Sequence, residues 1–133
     1  MKTAQYIEKL NTRFKTGIST EHTYRGDLQQ LLETLLPDIL VTNEPTRIKC
    51  GAPDYILTKQ NIPIGYIEAK DLGIDLKGKV LKEQFDRYKS ALENLIFTDY
   101  IDFHFYRNGE FVTKISIGEI DGKKIIPLTG YFG

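Results

Sequence analysis

The stretch Gly51-Ala-Pro-Asp-Tyr-Ile-Leu-Thr-Lys-Gln60-Asn-Ile-Pro-Ile-Gly-Tyr-Ile-Glu-Ala-Lys70 decides the fold. Tyr55-Ile-Leu57 and Pro63-Ile-Gly-Tyr-Ile-Glu-Ala-Lys70 are rich in β-branched and aromatic residues, and Gln60-Asn61 between them has the character of a hairpin turn. Residues two apart in a strand point to the same face, so Glu68 and Lys70 project together while Ala69 points to the opposite one. If the two strands pair through that turn, Asp54 lies near the Glu68–Lys70 end.

The pattern outside this stretch is helical on both sides. Tyr6, Ile7, Leu10 and Phe14 recur at helical spacing and predict an N-terminal helix over about 3–15. Ser19-Thr20-Glu21 reads as a second helix start. Tyr24, Leu28, Leu31, Leu32 and Leu35 form its apolar stripe, and Pro37 ends it. Ile39-Leu-Val41 is a short strand candidate. After the polar stretch from Asp71 to Gly78, the residues Leu81, Phe85, Tyr88, Leu92, Leu95 and Ile96 predict a helix from about Val80 to Phe97. Ile101, Phe103 and Phe105 alternate with Asp102, His104 and Tyr106 as in a strand. Asn108-Gly109 turns the chain into a return strand over Phe111 to Ile117, and Asp121-Gly122 suggests a further turn. The order is helix, helix, three strands, helix, strand, strand. It predicts an α/β (α+β sandwich-like) domain with a central mixed sheet of about five strands flanked by helices. The 133 residues read as a single domain, 1–133, with its core at about 19–118.

Lys plus Arg number 18 and Asp plus Glu number 18, so the net charge is zero. That excludes nucleic-acid binding by a global basic field, though not by a local groove. Hydrophobic content of 41% and charged content of 27% exclude a disordered chain. Cys50 is the single cysteine, which excludes an intrachain disulfide and a Cys-rich zinc site. It reads as a small buried hydrophobe, and a reducing, cytoplasmic setting is expected. No apolar run approaches the ~20 residues of a membrane span. The charged residues of Met1–Leu10 exclude a signal peptide, and no membrane partner is expected.

Asp54 and Glu68 carry the chemistry. Two carboxylates brought close together repel unless a cation sits between them, and hard oxygen ligands of this kind suit Mg²⁺. A lysine beside them can hold and orient an attacking water. His22 and His104 read as structural or exposed, because no nucleophile motif accompanies them.

Pro53-Asp54 followed by Glu68-Ala69-Lys70 resembles the active-site pattern of the PD-(D/E)xK nuclease superfamily. Gly51-Ala-Pro-Asp54 is similar to the Gly-x-x-Asp form of RecB-like nucleases. Gln84-Phe-Asp-Arg-Tyr88 resembles their Gln-x-x-x-Tyr motif, with Gln84 and Tyr88 on one helix face. Glu21-His-Thr-Tyr-Arg25, Asn43-Glu-Pro, Gly51-Ala-Pro-Asp-Tyr55, Ile64-Gly-Tyr-Ile-Glu-Ala-Lys-Asp71 and Phe105-Tyr-Arg-Asn-Gly109 together resemble the Mrr-like N-terminal nuclease domain of single-polypeptide type I (type ISP) restriction-modification enzymes. The resemblance covers about Ser19 to Gly109.

It implies a restriction-endonuclease-like core and a Mg²⁺-dependent DNA endonuclease, with Mn²⁺ able to substitute. Asp54 and Glu68 would ligate the metal with the carbonyl of Ala69, and Lys70 would act on the water. Gln84 and Tyr88 would orient the lysine or a phosphate. An acid from the first core helix often joins such sites. Glu21 is the choice because it shares the stripe of Leu28 and Leu32, whereas Asp27 and Glu33 fall beside it. Lys77, Lys79, Lys82 and Arg87 would contact the DNA backbone, which positions a duplex without reading its sequence. Helicase, methyltransferase and target-recognition partners are expected in the same or a neighbouring polypeptide, and a dimer for double-strand cutting. Two other readings stand beside this one: an inactive nuclease-fold module that binds DNA or a protein, and a nuclease acting on RNA.

Overall fold

Two strand–turn–strand units give the sheet its frame. At both turns the central residues take positive φ: Gln60 (51°) and Asn61 (67°) in one, Asn108 (51°) and Gly109 (82°) in the other. This left-handed pair matches the right-handed twist of the flanking strands. A computed structural model describes residues 2–17, 21–43 and 51–128, apart from the side chains of Glu21, His22 and Val80.

The helices α1 (Thr3–Phe14) and α2 (Glu21–Leu35) precede the strands β1 (Leu40–Asn43), β2 (Tyr55–Lys59) and β3 (Ile62–Ala69). Helix α3 (Lys79–Ala91) crosses to β4 (Asn94–Thr98), followed by β5 (Asp102–Arg107) and β6 (Glu110–Ser116). The six strands form one sheet in sequence order. Only β3 and β4 run parallel, joined by α3; the other neighbours are antiparallel. A separate two-stranded ribbon, β7 (Gly118–Asp121) with β8 (Lys124–Pro127), packs against α1, where the Asn11 side chain brackets the main chain of Ile125.

Alternation along the strands divides the core in two. Leu57, Ile67, Ala69 and Phe103 face α1 and α2, with Tyr24, Leu28 and Leu31 of α2 buried against them. Tyr66, Leu95, Phe97 and Tyr106 face α3 and meet Leu81, Phe85, Tyr88 and Leu92. Phe85 stacks on Phe97 with ring centroids 3.5 Å apart, docking α3 on β4. The result is three layers, helices on both faces of a mixed sheet.

The expected mixed sheet of about five strands flanked by helices is present, with six strands. One expectation needs correction: the helix expected from Val80 to Phe97 ends at Ala91. Leu92 is already extended, with φ −116° and ψ 129°, and β4 follows at once. Leu95 and Ile96 fit a helical stripe, yet Leu95 and Phe97 also alternate as strand residues on the α3 face. No Gly or Pro separates the two periods, so the pattern alone runs them together. Burial between β3 and β5 selects the strand.

The alternation expected over Ile101 to Tyr106 holds, with Ile101, Phe103 and Phe105 in one core and Tyr106 in the other. Asp27 does not simply border the α2 stripe: it is buried and accepts a hydrogen bond from Arg13 Nε at 2.6 Å, tying α2 to α1. The expected helix start at Ser19-Thr20 and the expected burial of Cys50 lie outside the described residues, as does most of Asn43-Glu-Pro. No described helix is long and apolar enough to cross a membrane.

Candidate active site at the end of the sheet

Asp54 stands one residue before β2 and Glu68 one residue before the end of β3. Tyr55 pairs with Ile67, so the antiparallel register sets Asp54 opposite Glu68. The main chain fastens the two together. Asp54 N–H donates to Glu68 Oε1 at 3.2 Å, and Ala69 N–H donates to Asp54 Oδ2 at 2.7 Å. Both carboxylates are buried, at 8% and 3% exposure. A carboxylate in such a setting needs donors or counter-charges around it.

Glu68 has two further neighbours of that kind. Gln84 Nε2, from α3, donates to Glu68 Oε2 at 2.8 Å. Lys70 Nζ lies 3.5 Å from the same oxygen. Other influences oppose ionisation: burial, and then the neighbouring Asp54, push the Glu68 carboxyl up to about 8, with Lys70 pulling the other way. A proton is therefore held at Glu68 more tightly than at an ordinary glutamate.

Asp54 carries a partner that the sequence reading did not single out. Arg25 Nη2 of α2 forms an ion pair with Asp54 Oδ1. Arg25 is itself buried, and Tyr55 Oη donates to the Arg25 carbonyl at 2.7 Å, locking this turn of α2 onto β2. A signal was present: Arg25 lies three residues before Leu28 and seven before Leu32, on the apolar stripe where a charge is costly without a partner. Glu21, the expected third acid, opens α2 one turn earlier, but its side chain lies outside the described residues.

Ala69 sends its methyl into the α1–α2 core, so what it offers the site is main chain. Tyr88 is buried in the α3 core. Its hydroxyl closes over Gly51, where an added Cβ would stand 2.8 Å from Tyr88 Oη. Gly51 has φ +137°, a conformation side chains disfavour. The Gly-x-x-Asp and Gln-x-x-x-Tyr segments thus meet each other as well as the carboxylates.

The basic residues are distributed around α3. Lys82 and Gln84 project about 200° apart on the helix. Lys77 and Lys82 border a cleft with Phe85, Lys89, Tyr106 and Phe111, on the side of α3 away from Gln84. Lys77 Nζ sits 4.5 Å from the Phe111 ring centroid, and Lys82 pairs with Asp86. The Arg87 guanidinium carbon lies 5.8 Å from the Tyr88 ring centroid, and Lys79 is exposed at the first turn. Lys77 and Lys82 are therefore gathered apart from the carboxylates.

The loop after β3 is anchored to β4. Lys70 N–H donates to the Thr98 carbonyl at 2.8 Å, and Gly73 N–H to Asp99 Oδ2 at 3.3 Å. Asp99, also missed in the sequence, accepts the Ile101 and Asp102 N–H groups and holds the turn in which Tyr100 has φ 80°. His104 is buried beside Phe111, and burial lowers its basicity. The carboxylates thus lie at the carboxyl ends of the parallel pair β3–β4, where α/β sheets commonly hold ligands.

No family model matches the chain, and no curated protein does. Among solved structures the chain is similar to one described as the cryoEM structure of a DrdV–DNA complex, with TM-score 0.68 and 24% identity. The match covers 86% of this chain and 12% of that one. The likeness is one of fold: a mixed six-stranded sheet flanked by helices, a restriction-endonuclease-like α/β arrangement. The chain spans about an eighth of the protein it matches.

Proposed function

We propose that this chain is a metal-dependent DNA endonuclease module of the PD-(D/E)xK kind, with Asp54, Glu68 and Lys70 at its centre. One observation carries the reading: Asp54 and Glu68, fourteen residues apart, are fastened together at a sheet end, with Lys70 and Gln84 both addressing Glu68. The DNA-bound neighbour of the same fold supports DNA as the partner.

The residues fit a divalent cation. Among the described residues no group of three or more His, Cys, Asp or Glu side chains could hold a metal, so the site offers two carboxylates and main-chain oxygen such as the Ala69 carbonyl. Mg²⁺ suits such a sparse set, because it keeps several waters and is commonly held by one or two carboxylates plus substrate phosphate. Burial first, and then the neighbouring Asp54, raise the Glu68 carboxyl, and a cation bound between the two acids would offset both. Bound there, Mg²⁺ or Mn²⁺ would polarise a phosphate and lower the pKa of bound water.

The protein's own groups do the rest. Lys70, beside Glu68 Oε2, places an ammonium where negative charge develops on the phosphate and where a water can be oriented. Gln84 fixes the Glu68 rotamer from α3. Tyr88 holds α3 against the Gly51 segment that leads into Asp54. Glu21 would add to the metal's surroundings from the first turn of α2. Lys79 and Arg87 would take backbone phosphates of a duplex at the carboxylates, whereas Lys77 and Lys82, expected to do the same, lie on the other side of α3. Such contacts position DNA without reading sequence, so target choice would belong to partner domains. Cutting both strands needs two such modules.

The test is cleavage of supercoiled plasmid with Mg²⁺ or Mn²⁺ by the wild type, Asp54→Ala and Lys70→Ala, with RNA run in parallel. Nicking by the wild type that both variants lose is the expected result. Equal cutting by all three proteins would overturn the assignment, and cutting of RNA alone would reassign the substrate.

A further inference from the structure

Arg25 occupies an unusual position for a cation in a site built from acids. Asp54 Oδ2 accepts the Ala69 N–H, so Oδ1 is the oxygen of the pair with no main-chain donor on it among the described residues. Arg25 Nη2 is on that oxygen. Its helix turn is held in place by Tyr55 Oη, so the guanidinium reaches Asp54 from a fixed base through a flexible side chain.

We propose that Arg25 is a positioning residue that competes with the divalent cation for Asp54 Oδ1, so that the cation must displace its guanidinium to bind. The inference rests on the metal-site reading above and adds a regulatory consequence to it. Arg25 supplies to Asp54 the positive charge that a divalent cation would otherwise supply, which keeps two neighbouring acids in one buried place. The same contact raises the metal concentration needed to fill the site. A guanidinium released from Asp54 remains beside the carboxylates, where it can meet a phosphate oxygen in a paired geometry that a lysine cannot reproduce. Cation binding and phosphate contact would then be linked: each favours the Arg25 position that the other requires.

Binding of Mn²⁺ alone to the full chain, followed by electron paramagnetic resonance, reads this directly, with Asp54→Asn defining the signal that belongs to the site. Removing a positive charge next to a metal ligand is expected to tighten Mn²⁺ binding by about tenfold in Arg25→Gln. Arg25→Met, which keeps the apolar stem, should behave the same way, and Arg25→Lys should stay near wild type. In the presence of a chelator Arg25→Gln should melt below wild type, and Mn²⁺ should raise its melting temperature more than that of wild type. A merely structural role for Arg25 would move the affinity in the opposite direction. In the wild type, the Arg25 Nε–Hε NMR signal should shift on Mg²⁺ addition with the same midpoint as the Asp54 amide. Unchanged or weaker Mn²⁺ binding in the neutral variants, or an Arg25 signal that stays still while Asp54 responds, overturns the inference and leaves the metal site standing. Absence of Asp54-dependent Mn²⁺ binding in every protein overturns the metal site and the inference together.

Discussion

Gln84 Nε2 donates to Glu68 Oε2 at 2.8 Å, a hydrogen bond that joins the crossover helix to the strand carrying the acid. It is one of two polar contacts that address the same oxygen, the other being Lys70 at 3.5 Å. An acid buried to 3% exposure depends on such donors. Gln84→Ala should therefore cost about 1–2 kcal/mol of stability, read from urea unfolding. Gln84→Glu should cost more above about pH 8, where Glu68 is ionised and the donor is replaced with a like charge. Cleavage should fall in both, since the Glu68 rotamer is no longer held.

The Glu68 proton makes stability depend on pH in a defined direction. The native carboxyl is pushed up to about 8 from an ordinary value of 4.5. The folded state therefore binds this proton more tightly than the unfolded chain. Its contribution is fully present below about 4.5, shrinks as pH rises, and is gone above about 8. The urea midpoint of the wild type, compared with that of Glu68→Gln across this range, should fall relative to the variant as pH rises. A parallel pair of profiles would refute the shift. A metal held as proposed would have to displace the same proton, so Mg²⁺ affinity should rise with pH over the same window.

Glu68→Gln separates folding from chemistry. The amide keeps the shape and removes the repulsion with Asp54. Near pH 8 the variant should be at least as stable as the wild type by thermal melting. It should have lost metal-dependent cleavage, because a neutral amide is a poor ligand for a hard cation. Loss of stability together with activity would show that the charge of Glu68 is structural.

Gly51 is required twice over, by its φ of +137° and by the approach of Tyr88 Oη. Gly51→Ala should cost about 1–3 kcal/mol for the backbone alone. Combining it with Tyr88→Phe should recover only a fraction of the steric cost, because Tyr88 Cε1 still stands 3.0 Å from the added Cβ and the dihedral strain stays. Calorimetric unfolding of the two single variants and the double variant checks this.

Much of the site was legible because its pattern is local. Glu68 and Lys70 share a strand face by the period of two, and Gln84 and Tyr88 share a helix face by the spacing of four. The Gln60–Asn61 and Asn108–Gly109 turns were legible through residues that tolerate positive φ, and the turns then set the register that puts Asp54 opposite Glu68.

Tertiary structure decided the rest. Leu95 and Ile96 satisfy a helix and a strand equally well, and only the place between β3 and β5 makes them β4. Lys82 lies close in sequence to Gln84, yet the helix turns it to its other side, where Lys77 of the preceding loop joins it. Asp99 has no local motif; its role comes from the turn it holds and the loop it reaches at Gly73. Arg25 meets Asp54 across 29 residues of chain, from a different layer of the fold. By itself the sequence determined which side chains share a face, because that follows from backbone period. Which charges face one another across layers is set by packing, where each buried ion must find its partner in space.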